Sequence, residues 1–305
     1  MVIVTGGSGF LGRHLITQLG KLGKREIFAP GSSAYDLRHR VDVKRLFKDA
    51  GQADVLFHLA ATVGGIGANR LHPGRFFYDN MMMSLNVIHQ AMRCKVSKII
   101  FVGTTCSYPK FAPLPFSEHS LFDGFPEETN APYGIAKRAS LVMLQAYQAE
   151  YGQRFNYLIP TNLYGPGDNF DDSSSHVIPA LIKKCLIAKE RNEPEITVWG
   201  TGKASRDFLY VEDVAKALIL AMDNYDRPEP LNLGSGEEVT ISTLIHFIKE
   251  ATGYRGKTTY DTSKPDGQPR RCLNIREAKM ALDWQAETSL KDGLQKTVEW
   301  YLNND

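Results

Sequence analysis

Gly6-Gly7-Ser8-Gly9-Phe10-Leu11-Gly12 limits what this chain can become more than any other stretch. It follows a short apolar run at residues 2–4 and opens an amphipathic pattern over residues 11–22. Gly6, Gly9 and Gly12 are spaced GxxGxxG. Such spacing answers three needs at once: a tight turn, close approach of backbone to a pyrophosphate, and close packing of helix on sheet. A glycine triplet alone also describes an ordinary turn. Strand before it and helix after it make this one a dinucleotide cradle, with Gly6, Ser8, Gly9, Phe10, Leu11 and Gly12 as expected cofactor contacts.

The pattern beyond the cradle repeats. Apolar runs at residues 26–29, 55–59 and 99–102 fit strands buried on both faces. Helical patterns at residues 43–48 and 82–94 separate them. A longer helix is expected over residues 132–151, with Pro132 in its first turn, and a strand at residues 155–159. Strand and helix in alternation mean βαβ units and a parallel sheet. The fold class expected is therefore α/β: a Rossmann-type doubly wound parallel sheet with a smaller α/β substrate-binding domain.

After Pro160 the alternation stops. Residues 162–168 are turn chemistry, and the chain is expected to cross there into the second domain. Residues 208–222 read as a strand and helix returning to the first, with Leu231-Asn232-Leu233 as a further strand. Helices are expected over residues 242–252 and 290–302. This divides the chain into a cofactor domain at residues 1–162 and 207–235 and a substrate domain at residues 163–206 and 236–305.

Composition removes several classes of function. With 305 residues, 43% of them hydrophobic, a sizeable core is assured and a disordered or disulfide-stapled chain is excluded. Lys and Arg number 36 against 34 Asp and Glu, so no strong field favours nucleic acid or a membrane surface. Cys94, Cys106, Cys185 and Cys272 lack CxxC or ligand spacing, which implies free thiols, a reducing compartment and no metal. No apolar run approaches the roughly 18 residues of a membrane span. Because the strand begins at Val2, a leader is not expected, and the protein is expected to be soluble and cytoplasmic.

NAD sites place an acid after the second strand to hold the ribose 2′-hydroxyl. Here Ile27-Phe28-Ala29 runs into Pro30-Gly31-Ser32-Ser33, without a carboxylate. Arg13 stands just past the glycines, and Arg38 follows Asp36-Leu37. Guanidinium without acid favours a 2′-phosphate, hence NADP(H). Arg13 as a solvated helix residue remains the plainer alternative.

Tyr133 and Lys137 stand at i and i+4 on one helical face. A cation beside a phenol lowers its pKa and makes tyrosine a usable acid or base. The strand at residues 99–102 ends in Gly103-Thr104-Thr105-Cys106-Ser107, whose hydroxyls lie at the carboxyl edge of the sheet.

With these residues in place, the chain resembles the extended short-chain dehydrogenase/reductase family. The likeness rests on residues 5–12, His58-Leu59-Ala60-Ala61, Tyr133-x-x-x-Lys137 and Arg206-Asp207-Phe208, and it spans essentially the whole chain. It implies a nucleotide-sugar enzyme with Tyr133 as acid/base, Lys137 on the nicotinamide ribose and Thr104 polarising a sugar C4 oxygen. Leu59, Ala60, Ala61, Pro160, Asn162, Leu163 and His176 would complete the cofactor site. Within the family, Val63-Gly64-Gly65-Ile66, residues 160–170, residues 175–179, residues 197–202 and residues 263–267 resemble the GDP-L-fucose synthase branch. Those enzymes epimerise C3 and C5 and reduce C4 of GDP-4-keto-6-deoxy-D-mannose. That branch commonly has histidine where Gly167 stands.

The branch implies Cys106 as base and His176 as acid. A C4 ketone acidifies the protons at C3 and C5, and thiol and imidazole titrate near 8.5 and 6.5, roughly, so both exchange protons at neutral pH. Without the resemblance, Cys106 reads as a small buried hydrophobe and His176 as a helix-start residue. The likeness further implies Ser107, Asn162, Val177, Lys184, Trp199, Arg206 and Lys264 on the GDP-sugar, with Lys183 as a substitute for Lys184. His58 reads as structural. A homodimer through the helices near residues 82–94 and 132–151 is also implied, with Ile135, Ala139, Val142, Met143 and Ala146 as either its stripe or a core face.

Four other functions compete. A 4,6-dehydratase needs an Asp-Glu pair near Thr105-Cys106, which is absent. An NAD-dependent 4-epimerase has no use for Cys106 and His176. A C4 reductase of a GDP-heptose, with or without epimerisation, leaves no distinguishing signature. A cofactor-sensing binding protein that lost catalysis would lack Tyr133 or Lys137.

Overall fold

Six parallel strands form the central sheet: β1 (Val2–Thr5), β2 (Ile27–Phe28), β3 (Val55–His58), β4 (Lys98–Val102), β5 (Arg154–Pro160) and β9 (Leu231–Leu233). Their order is β2-β1-β3-β4-β5-β9. This is a computed structural model describing residues 1–23, 26–172, 174–264 and 266–304; Pro265, within the stretch at residues 263–267, lies outside them. The strands hold together because alternate side chains supply two cores. Ile3, Leu56, Ile99, Phe101 and Phe155 face one way, onto α2 (Arg40–Ala50), α4 (Pro73–Arg93) and α5 (Ala131–Tyr151). Val4, Phe57, Ile100 and Leu158 face the other, with α1 (Phe10–Lys21), α7 (Val211–Asn224) and α9 (Arg276–Leu282).

β1 lies between β2 and β3, so the chain leaves it in one direction and returns on its other side. A crevice opens where the connections diverge, outside the carboxyl ends of β1 and β3.

A third core joins the remaining elements. β6 (Asn162–Tyr164) pairs with β8 (Ser205–Tyr210), which also pairs with β10 (Glu238–Thr240) and β12 (Arg270–Arg271). β7 (Glu195–Trp199) pairs with β11 (Lys257–Asp261). α6 (Val177–Glu190), α8 (Ile241–Thr252) and α10 (Leu290–Asn304) pack over them, and α3 (Ile66–Leu71) follows the loop after β3.

Three expectations are corrected. β2 is half-buried because it is the sheet's edge. The helix expected at residues 82–94 starts at Pro73. Its first half hides Asp79 and Asn80, polar groups that tertiary partners satisfy, so the apolar period is invisible there. Asn80 donates to the Thr62 and Phe76 carbonyls. Lastly, α7 does return to the first sheet's core, but β8, expected to return with it, pairs in the second sheet.

Among the described residues, no helix is long and apolar enough to cross a membrane, and no group of three or more His, Cys, Asp and Glu side chains is placed to hold a metal ion.

Lys98 begins β4 at 3% exposure. Its ammonium donates to the carbonyls of Ala221, Met222 and Tyr225 at 2.8, 2.9 and 2.6 Å, capping the C-terminus of α7. A cation there answers the negative helix end, and Asp226 pairs with it at 3.1 Å. Lys98→Met strands three carbonyls in the core. It is expected to lower unfolding free energy by roughly 2–4 kcal/mol, read by urea denaturation.

Candidate active site

The crevice widens into a cleft of about 1700 Å³ between the two sheets. Its floor at one end is the glycine turn. Gly6 sits at φ +78°, and a Cβ there would lie 2.6 Å from the Ala60 nitrogen. A Cβ on Gly12 would lie 2.2 Å from the Gly6 carbonyl oxygen. Only glycine lets α1 reach the sheet this closely, leaving the helix's free N–H groups facing the crevice. Gly6, Ser8, Gly9, Phe10, Leu11 and Gly12 all line the cleft, as do Leu59, Ala60, Ala61, Pro160, Asn162 and Leu163. His58, below them, is fully buried; its ring pairs with the Thr5 hydroxyl at 2.8 Å and burial lowers its pKa to about 3.

Past β2 the lining is Pro30, Ser32, Tyr35, Asp36, Leu37 and Arg38. Asp36 is not a free carboxylate. Arg38 donates to both its oxygens and to Asp79, and this holds Asp36 down at about 2. Arg13 does not line the cleft. Its guanidinium donates to the carbonyls of Ser8 at 3.1 Å and Gly167 at 2.7 Å, binding α1 to the loop after β6.

At the other side of the floor, the chain leaves β4 through a one-turn 3-10 helix, Thr105–Ser107. Thr104, Thr105 and Cys106 all line the cleft. Thr104 and Cys106 are half-buried, whereas Ser107 is fully buried beneath α5. Ser107 donates its hydroxyl to Gly134 at 2.9 Å and accepts from Arg138. It does not line the cleft from which a substrate contact was expected.

α5 begins directly on that turn. A Cβ at Gly134 would lie 2.2 Å from the Cys106 carbonyl oxygen, so backbone rests on backbone. This contact sets Tyr133 against Thr104 and Cys106. The Thr104 hydroxyl accepts from the Cys106 N–H at 3.2 Å and hydrogen-bonds Tyr133. Lys137, 2% exposed, donates to the Val102 carbonyl at 3.0 Å and sits 4.7 Å from the centre of the Phe101 ring.

The expected lowering of the Tyr133 pKa is not found. Burial, then the neighbouring Cys106 charge, raise the phenol well above its ordinary value, and the Thr104 hydrogen bond offsets only part. Lys137 adds no counterweight at the phenol, and burial lowers its own pKa to about 7.

His176 caps α6 from the opposite wall, solvent-exposed within the cleft, yet desolvation by the surrounding walls holds its pKa below the usual histidine value. Val177 lines the cleft beside it. Asn162 donates to the Asp207 carbonyl at 2.8 Å.

The second lobe supplies the cations. Lys184, Trp199, Arg206 and Lys264 all line the cleft. The Lys264 ammonium stands 5.6 Å from the centre of the exposed Trp199 ring. Lys184 donates to the Thr197 carbonyl at 2.7 Å, and Lys183 pairs with Asp172 at 2.8 Å. Burial lowers Arg206 to about 10.

Three lining residues escaped the sequence reading. Arg271 places Nη1 3.8 Å from Cys106 Sγ. Asp168 is 8% exposed with one carboxylate oxygen unpartnered, and burial raises it to about 7. Asn69 ties the Gly64 and Gly65 carbonyls and leaves its own oxygen unpartnered. The paired arginines after Pro269 were the one signal available for Arg271.

Residues 2–234 match the model of the NAD dependent epimerase/dehydratase family, and the chain belongs to that family. Among curated proteins it is similar to probable GDP-L-fucose synthase 1 of Oryza sativa subsp. japonica, 41% identical over 304 residues, which cover 99% of this chain and 92% of that one. It is 38% identical to the GDP-L-fucose synthase of Escherichia coli (strain K12), with 99% and 97% covered. A GDP-L-fucose synthetase from Naegleria fowleri, solved bound to NADP, superposes with a TM-score of 0.91 at 31% identity, covering 99% and 94%. A GDP-6-OMe-4-keto-L-xylo-heptose reductase from C. jejuni superposes with a TM-score of 0.93 at 28% identity, covering 100% and 98%.

The Gly134 contact is testable. Gly134→Ala must push α5 off the Cys106 turn, and a displacement near 1 Å is expected to cost about 100-fold in kcat. Binding of GDP at the cationic lobe, read by calorimetry, is expected to persist.

Proposed function

We propose that the protein is an NADPH-dependent enzyme that inverts C3 and C5 of GDP-4-keto-6-deoxy-D-mannose and reduces C4, giving GDP-L-fucose. One observation carries the reading. Thr104, Cys106, Tyr133, Lys137 and His176, from three separate segments, line a single cleft, in a chain 41% identical to a GDP-L-fucose synthase over 99% of its length.

The cofactor fits the residues present. The Gly6–Gly12 turn is a cradle that any Cβ would fill, and Asp36, occupied by Arg38, offers no free carboxylate to repel a 2′-phosphate. Arg38 stays in the lining as its cation, while Arg13 acts by fastening the cradle. Leu37, Leu59, Ala60, Ala61, Pro160, Asn162 and Leu163 form the walls. NADPH, when bound, supplies the hydride for C4.

The chain's own residues move the protons. Cys106 as thiolate takes the proton from C3 or C5, the C–H electron pair moving into the C4 ketone as an enolate. His176 returns a proton from the opposite face. Thr104 and Tyr133 share the C4 oxygen. The raised pKa keeps Tyr133 protonated until that oxygen turns basic, when the phenol gives up its proton. Lys137 holds the nicotinamide ribose. Arg206, Lys184 and Lys264 face the diphosphate, with the Trp199 ring for the guanine; Asn162 and Val177 border the sugar.

The six-stranded sheet draws its strands from residues 1–162 and 207–235, which supports a cofactor domain so bounded. The substrate domain is then residues 163–206 and 236–305, with β8 crossing between them. A homodimer is supported by α4 and α5. Tyr78, Val142 and Tyr151 are exposed, and Ile135, Ala139 and Ala146 do not belong to α5's buried set, while Met143 packs against the first core. A cytoplasmic setting is supported by four free cysteines.

Incubation with the keto sugar and NADPH in deuterated water tests the reading. NADPH consumption with deuterium at C3 and C5 of an L-fucosyl product is expected; consumption without label reduces the protein to a C4 reductase, and the GDP-heptose ketone becomes the substrate to try. Cys106→Ser is expected to abolish label entry while some direct reduction survives, and unchanged labelling removes Cys106 from the chemistry. Tyr133→Phe is expected to slow hydride transfer 100-fold or more, roughly, with GDP binding retained.

A further inference from the structure

We propose that Arg271 is a positioning residue for Cys106, holding the sulfur in its thiolate form and fixing its aim into the cleft. The inference rests on the reading of Cys106 as the base that inverts C3 and C5.

Arg271 belongs to β12, whose two residues pair with β8 so that Arg271 lies opposite Arg206. Its Nε and Nη2 donate to Gln268 Oε1 at 3.2 and 3.0 Å. Gln268 is anchored in turn by donating to the Lys110 carbonyl at 3.2 Å. One edge of the planar guanidinium is therefore fixed, and the remaining Nη1 points at Cys106 Sγ, 3.8 Å away. Lysine, with a single rotatable ammonium, has no such fork.

The charged and titratable groups facing Cys106 come from three elements. β12 brings Arg271. β8 brings Arg206, whose charge interacts with Cys106 and is also acted on by Asp266 and Glu238. α5 brings Tyr133, kept neutral by burial. Thr104 accepts the Cys106 backbone N–H and carries no charge. The sulfur thus meets one guanidinium directly, that of Arg271, with the charge of Arg206 acting from the neighbouring strand.

The chemistry needs them. In each inversion the C–H bond breaks and an S–H bond forms, so the negative charge leaves sulfur for the C4 oxygen. Two inversions require the thiolate twice, and the thiol must lose its proton to solvent between them. A guanidinium N–H donated to sulfur favours the anion each time. The other thiols lack this setting: burial pushes Cys185 and Cys272 up to about 11, and Cys94 lies exposed at the end of α4.

The test is iodoacetamide alkylation of Cys106 as a function of pH, followed peptide by peptide by mass spectrometry in substrate-free protein carrying Cys94→Ser. Arg271→Gln is expected to shift the alkylation midpoint upward by about one pH unit, so that the rate at pH 7 falls about tenfold. Arg271→Lys is expected to recover part of the shift. Deuterium entry at C3 and C5 should fall with the alkylation rate, as a loss in kcat. An unchanged profile in Arg271→Gln, with only a raised KM for the GDP-sugar, overturns the proposal and leaves Arg271 as a phosphate contact. Should Arg271→Gln fail to fold, Gln268→Leu frees the fork and is expected to move the midpoint the same way; a folded Gln268→Leu protein with the wild-type profile also overturns it. Failure of the base assignment looks different: Cys106→Ser would then keep full labelling, whatever the alkylation profiles show.

Discussion

Backbone resting on backbone, with no side chain between, is the constraint on which the arrangement depends. It occurs at Gly6 against Ala60, at Gly12 against Gly6 and at Gly134 against Cys106. The first two bring α1 down onto the sheet and fix the dinucleotide cradle. The third brings α5 onto the turn after β4 and fixes the chemistry. Each contact is too short for any Cβ, so all three glycines are demanded by distance, and Gly6, at φ +78°, by torsion as well. Cradle and acid/base turn are then held in one frame, because both hang from parallel strands of the same sheet, β1 and β4, with β3 between them.

The parts of the fold legible in the sequence are those whose cause is local. β1, β3, β4 and β5 are buried on both faces and advertise it as apolar runs. α5 shows its start in Pro132, and α8 and α10 show a clear period. What was illegible rests on distant partners. β12 is two residues long and is a strand only because β8 lies beside it. Arg271 therefore carried no sign of facing Cys106, although Tyr133 and Lys137, local to one helix, were plain. Ser107 shows the same limit from the other side. An extended strand would set it on the face opposite Thr104 and a 3-10 period would set i and i+3 together, so only the structure says which hydroxyl looks into the cleft.

Charge is divided across the cleft. The second lobe gathers Arg206, Arg271, Lys184 and Lys264 where a diphosphate would lie, while the sheet side offers groups whose charge burial suppresses. Tyr133 is held neutral, and Lys137 is brought down to about 7. The expectation that Lys137 would depress the phenol treated the pair as if in water. Inside the protein, desolvation dominates at both groups, raising the phenol and lowering the ammonium.

The two halves of the proposed reaction consequently draw on different kinds of structure. Reduction in this reading uses Tyr133 and Lys137, one helical turn apart on α5, so a single seated helix places both. Inversion needs Cys106 and His176 on opposite walls, and these come from the end of β4 and the start of α6, on either side of the crossing between sheets. Their separation is set by the loop after β6, which Arg13 ties to α1 through the Gly167 carbonyl. A reductase can tolerate drift between the lobes so long as α5 stays seated. An epimerase cannot, since a base and an acid must meet the same carbon from two sides. The fastening of that loop, remote from any reacting atom, is therefore part of what separates one activity from the other.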